Sequence, residues 1–147
     1  MKRLGFLALL FLLFWWSCKS IFPAQRDINV LVFSKTEGFR HASIPKGQEA
    51  IFALGKEHGF SVDTTENADV FKEKKLKEYN VVVFLNTTGD ILNEAQQLEF
   101  NRWIQAGGGF VGIHAATDTE YDWPWYGELV GAYFNGHPNN PLSLIHI

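Results

Sequence analysis

The chain has little that could cross-link it or build a metal cluster, with one cysteine and one methionine among 147 residues. A single thiol closes no intrachain disulfide and is too few for a zinc knuckle or an iron–sulfur cluster. Positive charge is not in excess either. Lys+Arg 13 against Asp+Glu 16 gives a formal charge of −3, so no broad basic surface is offered to nucleic acid. Glycine, at 13 residues, has no collagen-like period. What remains is 46% hydrophobic, 15% aromatic and 20% charged, the composition of a folded globular chain and not of a disordered one.

Long apolar runs are also scarce. The longest uncharged one, residues 4–16, follows Lys2 and Arg3 and stops at Ser17 and Cys18. It is short of the about 20 residues a membrane helix needs, and reads as the apolar region of a secretory signal over residues 1–17. Cys18 stands behind a small residue at the end of this run and resembles the lipidation cysteine of bacterial lipoproteins, although Trp15 and Trp16 depart from that pattern. A plain signal peptide and an uncleaved anchor are the alternatives. The expectation is an exported protein, lipid-anchored at the periplasm or outer membrane, with residues 18–27 as a tether. Cleavage before Cys18 removes Lys2 and Arg3 and leaves 11 basic against 16 acidic residues, and no thiol for catalysis.

Three β-branched or apolar runs, residues 28–33, 81–85 and 110–113, predict strands buried on both faces, as in a parallel sheet covered by helices. Residues 60–63 form a weaker fourth. Between them, residues 44–58 place Ile44, Gly47, Ile51 and Leu54 on one stripe, with Ser43 as N-cap, Pro45 in the first turn and Gly59 as the stop. Residues 93–106 open with Asn93 and Gln96 in capping-box spacing, bury Phe100, Trp103 and Ile104, and end at Gly107. The charges of residues 72–78 form a solvated helix face. The alternation implies an α/β fold: an open, doubly wound, mainly parallel sheet in three layers, flavodoxin-like. Ligands of such sheets lie beyond the carboxyl ends of the strands, where strand order reverses. Loops 34–43, 86–92 and 114–118 should meet there.

The first loop, S-K-T-E-G-F-R-H-A-S, exceeds the usual two to six residues or so. It brings Thr36 and Glu37 as candidate substrate contacts, and Arg40 and His41 to a helix N-terminus that favours electron-rich oxygen. A surface ion pair among Lys35, Glu37 and Arg40 is the plainer alternative. In the second loop Asn86, Thr87 and Thr88 can donate to and accept from sugar hydroxyls. Gly107, Gly109 and Gly112 spell G-x-G-x-x-G, but they follow a helix and enter a strand. A dinucleotide fingerprint requires the reverse, so no nucleotide site is expected. Flavin would rest on fold alone.

His114 ends the strand before Ala115 and Ala116, where a nucleophile elbow would present its reactive group. It can act as acid or base, bind a divalent metal together with His41 and Asp118, or sit hydrogen-bonded in the core. Residues 121–126, Y-D-W-P-W-Y, either stack Trp123, Trp125 and Tyr126 on sugar or pack on the sheet.

V-F-S-K-T-E-G-F-R-H-A-S-I, G-G-G-F-V-G-I-H-A-A-T-D, W-P-W-Y-G-E-L-V-G-A-Y-F and His137-Pro138 together resemble the ThuA-like, or trehalose-utilisation, family over residues 28–138. The resemblance implies a fold like that of class I glutamine amidotransferases. Those enzymes carry a nucleophilic cysteine where this chain has His114, so glutamine amidotransfer by that route is excluded. It also implies carbohydrate catabolism on a disaccharide or keto-sugar, with sugar oxidoreductases or glycosidases as partners, and Arg40, His41, His114 and Asp118 as the residues of the chemistry. A hydrolase, isomerase or lyase fits them. The alternative is a non-catalytic carbohydrate-binding module. The family pattern would continue past His137, whereas residues 139–147 look foreign to it, so the chain is expected to be the truncated N-terminal part of such a domain.

Overall fold

A computed structural model describes residues 27–137. The signal segment, Cys18 and its tether up to Arg26, and the tail 139–147 lie outside the described residues. The order is β1 (Asn29–Phe33), α1 (Ile44–His58), β2 (Ser61–Thr65), a 3-10 turn (Ala68–Val70), α2 (Glu73–Leu76), β3 (Val81–Leu85), α3 (Glu94–Gln105), β4 (Gly109–Ile113), a second 3-10 turn (His114–Thr117) and α4 (Pro124–Val130). All strand pairs are parallel, in the order β2-β1-β3-β4. The doubly wound α/β reading therefore holds, and the strand order reverses between β1 and β3.

Alternation along the two central strands sorts the core into two faces, because successive side chains point oppositely. Val30, Val32, Val83 and Leu85 face Ile51 on the α1 side. Leu31, Phe33, Val82 and Phe84 face Phe71, Leu76, Phe100 and Tyr126 on the other. β1 and β3 are buried almost throughout, which is why they read as unbroken apolar runs.

The helix ends follow their chemistry. Asn93 accepts from the Gln96 amide while the Gln96 side chain accepts from the Asn93 amide, closing the expected capping box. Gly59 stops α1 in the left-handed conformation at φ 74°. Three details differ from the sequence reading. β4, expected to be buried on both faces, lies at the edge of the described sheet with no residue fully buried and Val111 45% exposed. Ser43 makes no side-chain cap; its hydroxyl instead accepts from Asn86 Nδ2 at 2.8 Å. The α1 stripe runs through Gly55, which is buried, and not through Leu54, which is 46% exposed. Both positions are one turn beyond Ile51, and the close approach of the β2 entry selects the residue without a side chain. A Cβ on Gly55 would stand 2.7 Å from the Phe60 carbonyl oxygen.

Candidate functional site

The three expected loops meet at the carboxyl ends of the strands, tied by short bridges. Thr36 pairs with Thr88, and Gly89 with Thr119. The Glu37 amide donates to the Thr88 carbonyl at 2.8 Å, and the Gly89 amide to the Asp118 carbonyl at 2.8 Å. Between the first and third loops opens a cavity of about 540 Å³. Phe39 and His41 line it from the β1 loop, and His114, Ala115, Thr117 and Asp118 from the turn after β4. Phe134 and His137 complete the lining.

His114 adopts φ 53°, in the left-handed region that residues with a side chain seldom enter. The 3-10 turn that follows buries Ala115 and Ala116, and the Ala116 methyl packs so near Gly112 that a Cβ there would stand 3.1 Å from it. The strand thus turns sharply on small residues and leaves His114 exposed at the elbow, not in the core. Its ring meets that of His41 edge to face at 4.7 Å between centroids, and His41 meets Phe39 in the same way at 4.9 Å. Two imidazoles, each donor or acceptor by tautomer, can pass a proton in and out of the cavity.

Asp118 is positioned by Tyr121, whose hydroxyl lies 2.7 Å from both Asp118 Oδ1 and the Phe134 carbonyl oxygen. One phenolic hydrogen serves these two acceptors. Burial, with the Asp118 carboxylate beside it, pushes the Tyr121 hydroxyl up to about 12, so it remains a donor across the neutral range. His41, His114 and Asp118 thus share one cavity. Among the described residues, however, no three His, Cys, Asp or Glu side chains converge as metal ligands, so the proposed set of His41, His114 and Asp118 does not form a ligand cluster.

The other candidates lie elsewhere. Arg40 forms a two-pronged pair with Glu66, its two nitrogens at 3.1 and 2.7 Å from the carboxylate oxygens, and does not line the cavity. The Glu66 carboxylate holds its guanidinium still more firmly protonated. Glu37 pairs with Lys35 at 2.9 Å. Asn86 and Thr88 are buried and serve the loops: Asn86 through Ser43, Thr88 by donating to the Phe39 carbonyl at 3.0 Å. Thr36 is half-buried in its bridge to Thr88.

Trp123, Trp125 and Tyr126 pack into the aromatic core, and do not line the cavity. Tyr126 is fully buried and donates to the Ala116 carbonyl at 2.7 Å, while both tryptophans lie against Phe100. Burying rings of this size outweighs presenting them to water.

Sequence reasoning passed over Phe39, Phe134 and Glu120. Glu120 is 1% exposed and accepts from the amides of Ile91 and Leu92 at 2.8 and 2.7 Å and from Gln97 at 2.6 Å. It fixes the segment after Asp118 to the start of α3. Burial raises its pKa, against the opposing pull of those donors.

The sequence model of ThuA, described as trehalose utilisation, matches residues 29–146. That is most of the chain. The chain belongs to the ThuA family. The match extends beyond Pro138 into the tail that looked foreign by its residues. Among solved structures, the fold is similar to that of a ThuA-like protein from Bacteroides uniformis ATCC 8492, with a TM-score of 0.63 and 28% identity over 80% of this chain. The chain spans about half the length of that ThuA-like protein, the matched share being 50%. No curated protein matches it.

Proposed function

We propose that this chain carries a ThuA site acting on a disaccharide or keto-sugar in carbohydrate catabolism, with His114 and His41 as its acid/base pair. The observation that carries the reading is the exposed His114 imidazole on a left-handed turn at the end of β4, with the His41 ring 4.7 Å away. One imidazole takes a proton from the attacking water, a sugar hydroxyl or a carbon beside a carbonyl, and the other returns one to the departing or carbonyl oxygen. Hydrolysis, isomerisation and elimination all use that exchange, and a positioned acid or base contributes about 10²–10⁴-fold. Asp118, held by Tyr121, accepts from a sugar hydroxyl. The opposing reading, a binding module stacking sugar on Trp123, Trp125 and Tyr126, has less support because those rings are packed against Phe100 and Phe84.

The test follows trehalose and its keto derivative by product NMR with His114→Ala. The proposal predicts that turnover falls at least about 100-fold while ligand affinity stays within about threefold. Unchanged turnover would discard it. Export and a lipid anchor on Cys18 belong to the same proposal, supported by Lys2, Arg3 and the apolar run that follows. Labelled palmitate should enter the wild-type chain in bacterial cells and not Cys18→Ser; equal labelling would remove the anchor.

A further inference from the structure

Two large apolar side chains are held open at the cavity. Phe39 is 70% exposed and Phe134 is 41% exposed, and both line the space beside the imidazole pair. Neither sits on a loose backbone. The Phe39 carbonyl accepts from Thr88 Oγ1 at 3.0 Å, and the Gly38 amide before it donates to that hydroxyl oxygen at 3.3 Å. The Phe134 amide donates to the Thr117 carbonyl at 2.9 Å, and its carbonyl lies 2.7 Å from the Tyr121 hydroxyl. A phenyl ring left in water forgoes about 1.5–3 kcal/mol of burial. Here main-chain hydrogen bonds on both sides fix the backbone that carries two such rings at one cavity.

The charge of the lining is equally informative. Asp118 is the one carboxylate among the described lining residues, and no lysine or arginine is there. The nearby cations are engaged: Lys35 with Glu37 and the Ile91 carbonyl, Arg40 with Glu66. A phosphorylated ligand would meet Asp118 without the guanidinium or ammonium partner that phosphate sites supply.

We infer that Phe39 and Phe134 are the stacking platform for a neutral, ring-closed sugar unit, received on its C–H face beside His41 and His114. The inference rests on the ThuA-site reading above and adds the residues and the ligand class. Aromatic faces take the apolar side of a pyranose ring while the imidazoles and Asp118 take its hydroxyls, the usual division of an apolar cavity with few convergent polar groups. An open-chain polyol has no such face, and a sugar phosphate carries the wrong charge.

The experiment is titration calorimetry of the full chain with trehalose, sorbitol and glucose 6-phosphate. It uses the wild type, Phe39→Ala, Phe39→Tyr and Phe134→Ala, with Tm measured for each. Trehalose should bind the wild type best. Each alanine change should weaken it about five- to tenfold with Tm unmoved for the exposed Phe39, and Phe39→Tyr should stay within about twofold. If both alanine variants bind trehalose as the wild type does, the platform is overturned while the acid/base proposal stands. Equal or tighter binding of sorbitol or glucose 6-phosphate overturns the ligand class. If the wild type binds no trehalose, the platform and the sugar reading fall together, and His114→Ala turnover then tells whether the imidazoles still do chemistry.

Discussion

Among the described residues, three with side chains hold positive φ: Asn86 at 54°, His114 at 53° and Glu120 at 55°. Each such conformation costs about 1–2 kcal/mol and persists where its surroundings fix it. Asn86 is a residue type that tolerates it, and Ser43 holds its amide. Glu120 is gripped through three donors to its carboxylate. At the exposed His114 the strain serves the presentation of an imidazole. His114→Gly should therefore raise the unfolding free energy by about 1 kcal/mol in urea melts while abolishing turnover. A loss of stability would mean that the turn is not strained.

Glu120 gives a pH prediction. Its folded pKa lies above the unfolded value, so the folded state binds the extra proton, and its contribution to stability declines as pH rises from the ordinary carboxyl range through the raised value. Glu120→Gln should flatten that part of a Tm-against-pH curve; an unaltered slope would assign the dependence to other groups. The placement of His41, His114 and Asp118 at one cavity was legible because strand ends declare the site in a doubly wound sheet. Phe39, Phe134 and Glu120 were not legible. An exposed phenylalanine and a buried glutamate contradict the usual preferences of their types, and only the hydrogen bonds around them explain it.

At the scale of elements, α1 docks through Ile51 and through two residues without side chains. Gly47 approaches Leu85, and Gly55 approaches the Phe60 carbonyl and Val62. In isolation Gly55→Ala would favour the helix by about 1 kcal/mol. Against a carbonyl oxygen 2.7 Å from the new Cβ, backbone must move, so the change should destabilise the fold by about 1–3 kcal/mol in urea melts. A gain in stability would show that α1 slides freely. The strands and the two long helices were legible from apolar runs and caps, with bounds displaced by a residue or two. α4 was not. The Y-D-W-P-W-Y stretch has no cap signal, and Trp123 opens the helix without a side-chain cap, its Pro124 supplying the first turn instead. The short α2 reads as charged because Lys77–Glu73 and Lys75–Glu78 pairs face solvent while Leu76 alone is buried.

For the whole molecule, the parallel sheet gathers Phe39, His41, His114, Asp118, Phe134 and His137 around one cavity at its end while the aromatic core lies along one face. Trp123, Trp125 and Tyr126 are close to that end in sequence but belong to the face, which is why composition near a crevice misleads about what lines it. Function here rests on the site and not on the sheet, since the same sheet hosts many chemistries. The central claim, that sugar meets the His41–His114 pair, is tested most directly by imidazole NMR of the full chain during a trehalose titration. The signals of His41 and His114 should shift together and saturate with the binding isotherm, while that of His58, on the last turn of α1, stays in place. Saturable binding that leaves both cavity imidazoles unmoved would contradict the account.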